Sequence, residues 1–131
     1  MNRWLFKTDP DTYSWNDLAK KKLERWDGVA NPLALKHLRS VREGDEILIY
    51  HTGNEKAVIG IAKAVSDSYA DPADKTGKLA AVDISPLRPL TNLVSLSVIK
   101  SNPKLKNWEL VRFSRLSVMP VTDVQWNEIV R

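Results

Sequence analysis

Two histidines, five tryptophans and no cysteine limit the chemistry open to this chain of 131 residues. Without cysteine there is no thiolate nucleophile, thiolate metal site or disulfide. His37 and His51 lack the HxH or HxxxH spacing of a zinc site. GxSxG, GxGxxG and a Walker A loop are all absent. Ser114 and Ser117 have no base nearby in sequence. No catalytic residue, metal or cofactor is therefore expected. His37 reads as a surface or boundary residue of a helix. His51 follows Tyr50 at a strand end and has two readings of equal weight, a hydrogen-bonded loop support or a pocket wall.

The aromatic residues carry more. Trp4, Trp15 and Trp126 sit in amphipathic contexts and are expected in the core. Trp26 differs, because it stands in Arg25-Trp26-Asp27-Gly28-Val29, next to a glycine that permits close backbone approach. A flat indole there suits stacking on a base. Trp26 is expected to be markedly more exposed than Trp4 or Trp126, and to line a concave site with Tyr69 or His51 beside it. Tyr69, in the polar stretch before Asp71-Pro72, is a second candidate surface. Lys7, Arg112 and Arg115 are candidate phosphate or base contacts, although each alone is an ordinary surface charge.

The elements that must position these residues are legible in part. Arg3 to Thr8 alternates as a strand, closed by Asp9-Pro10-Asp11. Ser14 with Asp17 is a capping box opening a helix that turns Leu18 and Leu23 inward and Lys20-Lys21-Lys22 outward, ending near Trp26-Asp27-Gly28. Asn31-Pro32 opens a second helix with Leu35 and Leu38 buried. Glu46 to His51 and Ala57 to Val65 read as strands around a reversal at residues 53–56, with a gap at Gly60. Leu79 to Ile84 is a further strand, which Pro86 and Pro89 close and limit to an edge or strand end. Leu93 to Ser101 suggests a short helix and Leu110 to Val118 an extended tract. In such a tract Arg112 and Arg115 point to opposite faces, one toward a ligand and one toward a buried partner. A last helix, with Thr122 as cap and Gln125 in the box position, buries Val124, Trp126 and Ile129 or Val130. Strands in the middle with helices around them argue an α+β fold whose mostly antiparallel sheet curls toward a small barrel.

The length suits one domain over 1–131. No apolar run approaches a membrane span, and Lys7 and Asp9 interrupt the N-terminal apolar residues too early for a signal peptide. An intracellular place follows as the expectation, cytoplasmic in a prokaryote and nuclear in a eukaryote. The net charge of +4 fits a nucleic-acid partner but does not single one out.

One resemblance runs through nearly the whole chain. Trp4-Leu5-Phe6-Lys7-Thr8-Asp9-Pro10 with Tyr13-Ser14-Trp15, then Trp26-Asp27-Gly28-Val29 with Asn31, then Tyr50-His51 and Val58-Ile59-Gly60-Ile61-Ala62, follow in order. Tyr69 with Asp71-Pro72, Val82-Asp83-Ile84, and residues 112–118 with Pro120-Val121 complete the series. Together they resemble EVE-domain proteins of the PUA-like superfamily. The resemblance implies a PUA-like barrel flanked by helices, related to YTH domains that hold a methylated base in an aromatic cage. It also implies a monomeric nucleic-acid reader, of modified cytosine in DNA ahead of RNA. Trp26 then corresponds to a cage wall. Asn31 and the backbone at Lys7-Thr8 lie where a base edge is read, with Tyr50, His51, Tyr69 and Asp83 as further walls or partners and Arg112 and Arg115 near the binding face. Two departures stand out. Ala30 replaces an arginine usual in the second motif, and Lys78-Leu79-Ala80-Ala81 replaces a longer, aromatic-bearing segment before Val82. The alternatives are an RNA-binding accessory factor without a base pocket and an enzyme acting on nucleotides. Carboxylates or a Ser–His pair converging in the cleft would speak for the enzyme.

Overall fold

The computed structural model describes residues 1–130. Along the chain run β1 (Arg3–Thr8), α1 (Trp15–Lys21), β2 (Glu24–Trp26), α2 (Pro32–Arg39), β3 (Glu46–His51) and β4 (Ala57–Ala64). They are followed by β5 (Tyr69–Ala70), β6 (Ala80–Ser95), α3 (Leu96–Ser101), α4 (Glu109–Arg112), β7 (Val118–Pro120) and α5 (Asp123–Val130). The strands form one sheet in the order β2-β6-β4-β3-β1-β7, with β5 on β6. Only β1 and β3 pair in parallel; every other pairing is antiparallel. The architecture is α+β, a curled sheet flanked by helices. None of the described helices is long and apolar enough to cross a membrane.

β1 runs between β3 and β7, and Trp4, Leu5 and Phe6 are buried in succession because both of its faces are covered. α1 begins at the expected box: Ser14 Oγ accepts from the Asp17 amide at 3.1 Å, and Asp17 Oδ2 accepts from the Ser14 amide at 2.8 Å. Asn31 caps α2, with Oδ1 accepting from the Leu33 and Ala34 amides. Gly60 of β4 lies under the Trp15 ring, where an added Cβ would come within 2.8 Å of it. The expected gap at Gly60 is therefore the seat of a tryptophan.

Four expectations need correction. The first helix stops at Lys21, and Lys22 turns the chain in a left-handed conformation (φ 68°). Leu23 is thereby left exposed, and Glu24–Trp26 becomes an edge strand on β6. Next, β6 continues through both prolines to Ser95. It can do so because β2 and β5 cover only its first residues; past Ile84 its second edge is free, and a missing N–H costs no ladder bond there. The tract 110–118 is not extended throughout, since Glu109–Arg112 form a helical turn and only Val118–Pro120 join the sheet. Finally, α5 buries Trp126 and Ile129 but leaves Val124 exposed, because Val124 lies on the opposite face at 100° per residue.

Candidate nucleic-acid interface

The C-terminal end of β1, the turn that follows it and the end of β2 enclose a cleft of about 540 Å³. Its volume falls within the range of small-molecule sites. Trp26 forms one wall. Its ring lies 5.5 Å from that of Phe6, tilted by 35°, and meets the edge of Tyr13 at 6.1 Å. Trp26 is only 9% exposed, against 5% for Trp4 and 6% for Trp126, so the expected contrast in exposure is absent. Its neighbours on the sheet and Tyr13 cover it on most sides. It does line a concave site, but its aromatic partner there is Tyr13, not Tyr69 or His51.

Lys7 and Thr8 also line the cleft. Thr8 Oγ1 donates to the Tyr13 carbonyl at 2.7 Å, which ties the turn after β1 back to the strand. Lys7 Nζ donates to the Ser114 carbonyl at 3.1 Å and sits 5.8 Å from the Tyr50 ring centre. Burial pushes the Lys7 pKa below its usual value. The Tyr13 hydroxyl is buried without a well-formed hydrogen bond. Burial, and then the nearby Glu24 carboxylate, drive its pKa up.

Arg25 stands at the rim. A hydrogen bond to Tyr69 holds its pKa up. Tyr69 in turn donates to Asp83 Oδ1 at 2.6 Å. The Tyr69 pKa is raised by burial first and by this carboxylate second. Tyr69 and Asp83 are thus joined to each other and reach the cleft through Arg25, rather than forming its walls. Three carboxylates line the cleft as well. Glu24 is held by Lys21 through both oxygens at 3.0 and 3.1 Å, Asp9 Oδ1 accepts from the Asp11 amide, and Asp27 is exposed. Both histidines lie elsewhere, so no Ser–His pair is formed here.

The remaining expected site residues lie apart. His51 is buried and lines none of these clefts; its Nε2 accepts from the Trp15 amide at 3.0 Å and its Nδ1–H donates to Glu55 at 2.9 Å. Of its two readings, the geometry is that of a hydrogen-bonded support. Asn31, Arg112 and Arg115 border a second cleft, of about 330 Å³. Both arginines are exposed, so the opposite-face expectation fails along with the extended tract, and no buried acceptor among the described residues holds Arg112. Its guanidinium lies 5.2 Å from the Phe113 ring centre. Tyr50 lines a third cleft, with Lys7, Lys56 and Lys100. The sequence reading missed Tyr13, Arg25 and the carboxylates as cleft residues. Tyr13 stands inside the first motif and Arg25 directly precedes the second, so adjacency was the available signal.

The EVE domain model matches residues 2–131. The chain belongs to the EVE domain family. This EVE domain is similar to a Rhodopseudomonas palustris protein of known structure, at 37% identity and a TM-score of 0.94 over 99% of this chain and 91% of that one. Human thymocyte nuclear protein 1 is 27% identical over 163 residues, spanning 98% of this chain and 72% of its own length. A structure of that human protein in complex with DNA containing 5-methylcytosine matches with a TM-score of 0.89 at 27% identity, covering 98% of this chain and 95% of that one.

Proposed function

We propose that this EVE domain binds nucleic acid by admitting one modified base, a modified cytosine in DNA ahead of other choices, into the Trp26 cleft. The observation that carries the reading is the cleft itself, with Trp26 and Tyr13 as aromatic walls and hydrogen-bonding groups around them. The human relative bound to 5-methylcytosine DNA supports it. Trp26 stacks on the base, and the backbone at Lys7-Thr8 lies along its edge. Arg25 guards the rim, braced by Tyr69 and Asp83. His51 holds the start of α1 through the Trp15 amide, and Tyr50 borders the neighbouring cleft that shares Lys7. Asn31, Arg112 and Arg115 meet the strand next to the seated base. Asp9, Glu24 and Asp27 supply acceptors for an exocyclic amino group, the donor that cytosine offers and thymine lacks. Ala30 also lines the cleft, so a cation usual in the family motif is replaced there by a methyl group.

The energies are compatible. Taking a base out of its stack costs a few kcal/mol, roughly. Stacking on an aromatic face returns about 1–3 kcal/mol. A methyl in a snug pocket adds about 1–3 kcal/mol, enough to prefer the modified base but not to exclude the normal one. The test is a titration of the protein against DNA oligonucleotides that differ in a single 5-methylcytosine. The reading expects about tenfold tighter binding of the modified one. Equal affinities would sink it.

The three cleft carboxylates favour a second reading, an enzyme that uses them on a nucleotide. The engagement of Glu24 with Lys21 and of Asp9 with its own turn weakens that reading. Recovery of the bound oligonucleotide with its mass unchanged would support the binding module; a mass change dependent on Asp27 would support the enzyme.

A further inference from the structure

Three clefts meet around Lys7 and the loop between α4 and β7. The Trp26 cleft carries three carboxylates. The cleft beside it, about 280 Å³, shares Lys7 with the first and is lined by Lys7, Lys56 and Lys100 with no carboxylate at all. Ser114 then joins this lysine cleft to the one bearing Arg112 and Arg115, which also lacks an acid. Charge is thus sorted by place: acceptors where a base edge would lie, cations where the chain leading to it would pass, with Glu55, on the far side of Lys56 and Lys100, engaged by His51.

The lysine cleft is held in shape. Lys56 is the last residue of the β3–β4 turn, directly before β4, and has a left-handed backbone conformation (φ 45°), which a lysine adopts only at a cost. Its carbonyl accepts from the Leu96 amide at 2.7 Å, which carries the β4–β6 ladder one step beyond the Ala57–Ser95 pair and fixes Lys56 at the start of α3. Lys100 lies in the last turn of α3. The two side chains therefore stand on elements locked to each other. Lys7 closes the cleft, anchored to the Ser114 carbonyl. Among the described residues, none of the three lysines forms an ion pair. Unpaired cations that line a cleft free of acid suit phosphate oxygens.

We infer that the cleft of Lys7, Lys56 and Lys100 holds the phosphodiester backbone leading into the Trp26 cleft. The inference rests on the base-binding reading for where the strand goes, but not for whether the lysines meet phosphate. The experiment uses the whole chain, a DNA oligonucleotide with one 5-methylcytosine and its unmodified twin, titrated across a salt series. In a Lys56→Gln/Lys100→Gln double variant, the slope of log affinity against log salt becomes shallower by about two, for both oligonucleotides alike. The preference between the two is unchanged. Lys56→Arg/Lys100→Arg keeps the slope. Lys63→Gln, an exposed lysine of β4 outside all three clefts, also leaves it unchanged. An unchanged slope in the double glutamine variant, or an equal drop in Lys63→Gln, overturns the inference. Equal affinity of the wild type for the two oligonucleotides overturns the base reading instead, and a reduced slope in the double variant then still upholds the lysine cleft. Failure of the wild type to bind either one overturns both.

Discussion

The two ends of β1 each present a cation and lie beside a tryptophan, and the fold treats them in opposite ways. At the first end, Trp4 Nε1 donates to Asp45 Oδ2 at 2.9 Å, and the same carboxylate accepts from the amides of Asn2 and Arg42. Arg3 pairs with Glu46 at 3.2 Å and Asp123 at 3.1 Å, and its guanidinium lies 4.6 Å from the Trp126 ring centre. The Trp4 indole, the Arg3 guanidinium and the Asp45 carboxylate there all have partners inside the molecule. At the other end, Lys7 has a carbonyl and a ring but no carboxylate partner. The Tyr13 hydroxyl beside Trp26 is buried and has only the nearby Glu24 carboxylate, without a well-formed bond. One end is closed by its own contacts. The other leaves hydrogen-bonding capacity for something from outside. Burial alone does not separate them, since both tryptophans are largely covered; polar satisfaction does.

The strongest way to break the comparison is at Asp45. Asp45→Ala strands two amides and the Trp4 indole, so it should cost about 3 kcal/mol of stability, read as a lowered midpoint in chemical denaturation. At temperatures where the variant stays folded, its affinity for the modified oligonucleotide should match wild type. A binding loss larger than the folding loss would mean that the two ends are coupled. Next comes Trp26→Phe, which keeps a ring against Phe6 while shrinking the stacking face. Titration should show affinity for the modified oligonucleotide reduced by about 1 kcal/mol and the preference over its unmodified twin reduced with it. Trp26→Ala is the poorer test, because removing so buried a ring threatens the fold as well.

A smaller effect sharpens the contrast. Tyr13→Phe deletes a hydroxyl that makes no well-formed bond, so its stability should stay within about 1 kcal/mol of wild type or rise. Trp4→Phe deletes a satisfied donor and should cost about 1–3 kcal/mol. Equal losses in the two melts would refute the distinction. The smallest effect concerns pH. The folded pKa of Lys7 lies below its usual 10.5, so between the two values the unfolded chain holds more protons there than the folded one. Stability from this group therefore rises with pH across that window, as the buried charge is neutralised. Lys7→Met should remove this rise, seen as a flatter stability profile on the alkaline side. A profile identical to wild type would show that burial of the ammonium is not felt.

Local chemistry was legible where it is complete within a few residues. Ser14 with Asp17, Asn31 with Pro32, and Thr122 with Gln125 announce helix starts, and the structure makes their bonds. The β1 and β3 strands were plain from their apolar runs, and the family motifs were plain from their order. β2 was not legible, because a three-residue strand shows no period and the left-handed turn before it falls on a lysine rather than a glycine. α4 escaped for the same reason, being a single turn.

By itself, the sequence determined the family through the order of its motifs and the α+β class through its pattern of strands and helices, and it pointed to the neighbourhood of the proposed site around Trp26 and Lys7. What only the tertiary structure decided is which side chains share that neighbourhood. Tyr13 displaced Tyr69 and His51 as the partner of Trp26, because the Thr8 hydroxyl folds the turn after β1 back over the strand. Lys56 and Lys100 joined Lys7 because the β4–β6 ladder, continued by one further backbone bond, sets the residue before β4 beside the start of a helix far along the chain. Motif spacing records interactions that close within one turn or one strand pair. A cleft is set by register between segments distant in sequence, and no single segment carries that register in its own residues.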